Sequence, residues 1–289
     1  MNILIAMIGP ALWGTTYAVT QYAFAGWPPM LLAVLRALPA GLFLLIALRP
    51  ALPRGRQWQP LIISAALNIA VFFTLLFIAA VHLPSAFAAV GMASTPVFAF
   101  VINSLIYRQL PSVIQLVLAG VMLVAVWLLF DPANSSLSLV GMAAMVAAIV
   151  VMLSGSLYAK KVLVTIPGKT LLVWQLTLGG LMLLPLALGQ LALMGEARAE
   201  LVFGTTQLFG LLWLIFANTV VAYFLFIWVL PRISIVQLAF ASVTNPVAGV
   251  LAGVVLVGEQ YSGFQYFLMG VLVVSALAAQ LGDKSRKKV

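Results

Sequence analysis

Long apolar runs broken by proline, glycine and charge dominate the chain and predict membrane spans near residues 3–22, 30–48, 60–80, 86–106, 112–130, 138–157, 170–193, 208–228, 235–257 and 262–281. Each run approaches the roughly 20 apolar residues that cross a hydrocarbon core. Lipid-exposed backbone has to satisfy its own hydrogen bonds, and a barrel would instead show alternating segments of about ten residues, so the spans read as helices. The predicted fold is an all-α polytopic membrane protein of ten transmembrane helices.

Polar positions inside these runs recur at a fixed spacing. Asn68 and Asn218, Pro96 and Pro246, Gln115 and Gln265, and Gly120 and Gly270 are each 150 residues apart, and Phe73 falls on Tyr223. Nearer the start of each half the spacing is 141 for Gly14/Gly155 and Tyr17/Tyr158, and 139 for Pro28/Pro167 and Gly41/Gly180. The chain therefore divides into two five-helix units, residues 1–133 and 134–289, the second ending in a basic tail. Secondary transporters build alternating-access pathways from such duplicated units.

Charge supports the same count. Arg49, Arg54, Arg56, Arg108, Lys160, Lys161, Lys169, Arg232, Lys284, Arg286, Lys287 and Lys288 all fall after even-numbered spans, leaving only Arg36 within a span and Arg198 opposite. Asp131, Glu196, Glu200 and Glu259 fall on the other side. The positive-inside rule then places both termini in the cytoplasm, and five spans per unit make the two units inverted. The net charge of +9 follows from this orientation, so no nucleic-acid partner is expected. At 65% hydrophobic and 7% charged residues, a soluble globule is excluded. With no cysteine and one histidine, His82, neither disulfides nor a thiolate or multi-histidine metal centre can form, and no cofactor is expected. Residues 2–22 lack a basic leader region and a small-residue cleavage site, so they read as a retained first span.

Candidate pathway residues are the polar and aromatic side chains inside the spans. Asn68 and Asn218 either line a cavity or tie helices together, since a buried amide in hydrocarbon needs partners for both ends. Ala88, Gly91, Thr95 and Ala99 form one small-residue face, and Ala241, Asn245, Ala248 and Ala252 another, suited to helix packing or to a binding surface. Pro96 and Pro246 each withdraw one backbone hydrogen bond and are candidate hinges. Trp13, Tyr17, Phe73, Phe77, Tyr158, Trp174 and Tyr223 supply aromatic surface, with Phe73, Trp174 and Tyr223 furthest from the predicted span ends. Gln175 and Asn218 are the hydrogen-bonding groups for a zwitterion's ammonium or carboxylate. Arg36, the one charge inside a span and about seven residues from its outer end, is either a functional charge or a structural one that snorkels to the interface or binds carbonyls. His82 is expected at the outer mouth of the third span as a solvated polar residue.

Several short motifs carry a resemblance. Ala11-Leu12-Trp13-Gly14, Leu35-Arg36, Leu83-Pro84-Ser85-Ala86, Trp174-Gln175, Asn245-Pro246-Val247 and Gly258-Glu259, in this order and spacing, resemble the EamA-like members of the drug/metabolite transporter superfamily. Arg108-Gln109 departs from the Gly-Glu often found after the fourth span of such proteins. The chain looks most like the YddG-type bacterial exporters of aromatic and other hydrophobic amino acids. That resemblance implies a central cavity lined by spans 3, 4, 8 and 9, with spans 1, 2, 6 and 7 moving around it. It also implies a place in the bacterial inner membrane.

No predicted span contains Asp or Glu, so a proton relay on a membrane-centre carboxylate is not expected. A single peripheral Arg36 is unsuited to a phosphate or nucleotide head group in low dielectric. A small neutral solute with apolar area, such as a neutral amino acid, fits these constraints. A broad-specificity drug or metabolite exporter is the alternative. An intramembrane enzyme would need a nucleophile with a base in reach, and no motif supplies one.

Overall fold

The computed structural model describes residues 2–83, 88, 91–108, 112–130, 138–195, 201–234, 237–238 and 241–284. Among them every regular element is helical. The helices are numbered α1 (Asn2–Ala23), α2 (Pro29–Leu48), α3 (Gly55–His82), α4 (Thr95–Tyr107), α5 (Val113–Phe130), α6 (Leu139–Val162), α7 (Gly168–Leu193), α8 (Thr205–Arg232), α9 (Thr244–Val257) and α10 (Gly263–Lys284). Six of these, α1, α2, α3, α6, α7 and α8, are long and apolar enough to cross a membrane. Shorter apolar stretches occupy α5, α9 and α10. Pro84, Ser85, Ala86, Gln109, Asp131, Glu196, Arg198, Glu200, Arg286, Lys287 and Lys288 lie outside the described residues.

The distribution of polarity is that of a protein solvated by lipid. Leu105 is 76% exposed, Val255 79% and Leu193 89%, while Thr16, Arg36, Ser64, Asn68, Gln175, Asn218 and Thr219 are buried. An apolar surface of this extent would aggregate in water. The molecule is a multi-pass membrane protein.

In hydrocarbon, helices associate through close packing and interhelical hydrogen bonds, because lipid is as apolar as leucine. Accordingly α2 lies along α7, α5 along α10, α3 against α6, and α1 against both α8 and α9. Glycines set the α2–α7 crossing. A Cβ on Gly41 would sit 2.6 Å from the Thr177 backbone nitrogen, and one on Gly180 would sit 2.7 Å from the Leu38 Cα. Residues 38 and 177, like 41 and 180, are 139 apart, so the two contacts would interchange if the halves were swapped.

Three helices widen locally into π turns: α3 at Ala66–Val71, α8 at Trp213–Val221 and α9 at Gly253–Val257. Before α4 the backbone passes through a 3-10 turn at Met92–Ser94, and before α9 through a turn at residues 242–243. Pro96 and Pro246 occupy the first turns that follow these breaks. An N–H there has no intrahelical acceptor, so neither proline removes a bond from a running helix.

Candidate substrate site at two π-helical turns

The two asparagines that the repeat singles out each lie within a π turn, Asn68 in α3 and Asn218 in α8. A π turn shifts the backbone register by one residue, and such turns occur frequently at functional sites. The Thr219 hydroxyl reinforces the wider turn by donating to Leu214 O, five residues back, at 2.8 Å. The Asn218 carbonyl is met by two side-chain donors, Trp13 Nε1 at 2.8 Å and Arg36 Nη2 at 3.1 Å. The Asn68 carbonyl accepts from Tyr223 Oη at 3.4 Å. Both amide side chains reach a neighbouring helix: Asn218 Nδ2 donates to Thr15 Oγ1 in α1, and Asn68 Nδ2 to Gly155 O in α6.

Arg36 is the largest fully buried side chain among the described residues, 1% exposed. Its Nε donates to Thr219 Oγ1 at 3.0 Å, its Nη1 to Thr16 Oγ1 at 3.4 Å, and its guanidinium carbon stands 4.5 Å from the centroid of the Phe73 ring. The expected interfacial position is therefore corrected: Arg36 does not snorkel but joins α2 to α1 and α8 in the interior. Of the two structural roles considered for it, carbonyl binding is the one observed. The argument against anionic solutes from a peripheral Arg36 loses its premise with this placement.

Aromatic rings enclose this polar centre. Trp13 lies 5.1 Å from Tyr223 and 5.4 Å from Phe226, and Phe73 lies 6.1 Å from Tyr223. Tyr17, Phe73 and Phe77 are fully buried and Tyr223 nearly so, whereas Tyr158 is half-buried. Tilted and edge-on pairs of this kind contribute about 0.5–1.5 kcal/mol each beyond burial.

A second polar group adjoins the first. Ser64 Oγ donates to Gln175 Oε1 at 3.2 Å and accepts from Asn68 Nδ2 at 3.2 Å. Gln175 Nε2 and Trp174 Nε1 are buried without a partner, as is the amide oxygen of Asn245. Trp174 packs edge-on against Trp58 at 5.1 Å, at the beginning of α3 and not on the Phe73–Tyr223 rings. Asn245 is buried where its backbone carbonyl abuts Gly14 of α1, between Trp13 and Thr15. A buried donor left unpaired costs about 1–3 kcal/mol. Gln175→Met is therefore expected to leave the unfolding free energy within about 1 kcal/mol of the parent in a thermal or denaturant titration, because it removes an unpaired donor together with one bond.

Other expected residues have local duties. Thr95 Oγ1 donates to Met92 O at 2.5 Å, closing the 3-10 turn beneath it. Ser94 and Thr244, again 150 apart, both donate to the carbonyl three residues back, Gly91 O at 2.7 Å and Ala241 O at 2.9 Å. The first small-residue face serves packing at Gly91, where a Cβ would meet Met145 of α6 at 2.9 Å. His82 is exposed at the end of α3 with Nδ1 2.8 Å from Ile78 O, and since a carbonyl only accepts, Nδ1 carries the proton. Thr15, Thr16, Ser64 and Thr219 are central to the network but were not singled out from sequence. Only the adjacency of Thr219 to Asn218 hinted at one of them.

A family profile described as EamA-like transporter family matches residues 1–131. Protein PecM of Dickeya dadantii is 32% identical over 98% of this chain and 94% of its own length. The chain belongs to the EamA-like transporter family. The chain is also similar to the inner membrane transporter YedA of Escherichia coli K12, 27% identical over 94% of this chain and 88% of YedA. A Salmonella typhimurium protein named "Probable amino-acid metabolite efflux pump" is 24% identical over 94% of this chain and 91% of that protein. A solved crystal structure shares the fold at a TM-score of 0.69 and 18% identity, covering 97% of this chain and 98% of that one. The EamA-like match contains Arg36, Asn68 and Phe73, and the residues that complete their network, Asn218, Thr219 and Tyr223, lie beyond it.

Proposed function

We propose that this EamA-like protein exports small neutral amino acids with apolar or aromatic side chains across the bacterial inner membrane by alternating access. The observation that carries the proposal is that two repeat-related π turns, at Asn68 and Asn218, are both tied to the aromatic set Trp13, Phe73 and Tyr223, with Trp13 Nε1 donating to Asn218 O and Tyr223 Oη to Asn68 O. Polar groups at the two turns and ring faces together suit a solute with a polar head and an apolar body. Asn68, Phe73, Asn218 and Tyr223 form the centre of the site, with Gln175 and Asn245 at its edge; Thr95 and Trp174 stand further from it. The "Probable amino-acid metabolite efflux pump" relative supports this solute class.

Two inverted five-helix units, residues 1–133 and 134–289, with both termini cytoplasmic, complete the proposal. Support comes from four helix pairings that map onto one another when each helix is exchanged for the one five away. Thus α2–α7 and α5–α10 are self-paired, and α3–α6 corresponds to α8–α1. Pro96 and Pro246, following breaks at equivalent places, are the proposed hinges. Opening one face while closing the other then requires the α1–α8 and α3–α6 contacts to loosen in turn.

A broad drug exporter that favours organic cations is disfavoured by the Arg36 charge at the centre of the network. The deciding experiment is counterflow uptake in proteoliposomes of Trp, Phe, Leu, Thr, Arg, a hexose and a phosphosugar, with and without a pH gradient. Saturable uptake confined to Trp, Phe and Leu is expected. Uptake of the phosphosugar or hexose with a flat amino-acid response would overturn the solute assignment.

A further inference from the structure

We infer that Arg36 is the recognition group for the solute's carboxylate, a specificity determinant that admits monocarboxylates and excludes the corresponding amines. A guanidinium carries five N–H donors. Among the described residues three are used, on Thr219 Oγ1, Thr16 Oγ1 and the Asn218 carbonyl, which leaves one N–H on Nη1 and one on Nη2. Every one of those partners is neutral, and so is the Phe73 ring beside the group. The chain's five carboxylates, Asp131, Glu196, Glu200, Glu259 and Asp283, all lie outside the predicted spans. A buried charge without a counter-ion among the described residues is costly to hold, and an anion carried by the solute would offset that cost.

The geometry restricts which anion. Two N–H groups on different terminal nitrogens match the two oxygens of a single carboxylate, a pairing that a lysine cannot copy. One positive charge balances one carboxylate and not a phosphate dianion. The rings of Phe73, Tyr223 and Trp13 lie alongside, so the apolar part of the solute stacks where its carboxylate is held. For an amino acid, the ammonium group then needs an acceptor. The amide oxygen of Asn245, buried without a partner, is an acceptor that the fold leaves free.

The inference rests on the export proposal for the choice of amino acids as solutes, but its test does not require transport. Equilibrium binding of radiolabelled phenylalanine, phenylacetate and phenethylamine to the purified full-length protein separates carboxylate from ammonium recognition. Phenylalanine and phenylacetate should bind at least about tenfold more tightly than phenethylamine, the difference that about 1.4 kcal/mol produces. Arg36→Gln, confirmed folded by its elution volume, should erase that difference. Arg36→Lys keeps the charge but loses the fork, so it should narrow the preference without removing it, and it serves if the Gln variant does not fold.

Equal binding of phenylacetate and phenethylamine, an unchanged preference in either variant, or no binding of any of the three would overturn the assignment. Phenylalanine counterflow by a protein indifferent to the carboxylate would remove the Arg36 role and leave export standing. Phenylacetate binding without amino-acid transport would do the reverse.

Discussion

Gly41→Ala and Gly180→Ala will each destabilise the protein, by similar amounts, and the double variant will fall short of their sum. Both added methyl groups would be driven into the backbone of the opposing helix, at 2.6 Å from Thr177 N and 2.7 Å from Leu38 Cα. Backbone cannot rotate away as a side-chain tip can, so α2 and α7 must separate along their contact. Overpacking of this kind costs about 1–3 kcal/mol per site. Once one methyl group has parted the helices, the second meets a crossing already widened, which is the origin of the coupling. Gly189→Ala is the control, because no atom lies within 4 Å of its added carbon. Thermal unfolding followed by tryptophan fluorescence in one detergent measures the parent and all four variants. Equal melting temperatures for Gly41→Ala and the parent would show that the crossing is looser than described.

Tyr223→Ala will abolish phenylalanine counterflow, whereas Tyr223→Phe will retain most of it. The ring is held by Trp13, Phe73 and Phe226, at centroid distances of 5.1, 6.1 and 6.1 Å, and is 3% exposed. Truncating a buried aromatic to alanine costs about 3–5 kcal/mol, and the void would lie against Phe73, the ring beside Arg36. The hydroxyl contributes one long bond, 3.4 Å to Asn68 O. Its loss leaves a carbonyl with other ways to be satisfied, so about 0.5–1.5 kcal/mol is the ceiling for Tyr223→Phe. Initial rates of labelled phenylalanine uptake, normalised to reconstituted protein, separate the two variants. A Phe variant as inactive as the Ala variant would assign the phenol a direct part in solute binding and reduce the role of ring packing.

The hydrophobic pattern determined much of this protein without tertiary information. In hydrocarbon the backbone must bond within its own segment, so apolar length translates almost directly into helix, and α1, α2, α3, α6, α7 and α8 follow the predicted spans closely. Recurrent residues find partners across helices: the Tyr223 hydroxyl donates to Asn68 O, the Phe73 and Tyr223 rings pair, and Asn218 O accepts from Trp13 and Arg36, because a polar group in a span has to find protein partners. The tertiary structure alone decided where the positive charge went. Snorkelling and burial are both available to an arginine seven residues inside a span, and only the hydroxyls of Thr16 and Thr219 with the Asn218 carbonyl, brought from two other helices, make burial the lower-energy choice. The π turns were hidden for the same reason, since a one-residue shift in register leaves the apolar pattern unchanged and is stabilised by contacts distant in sequence, such as Trp13 with Asn218.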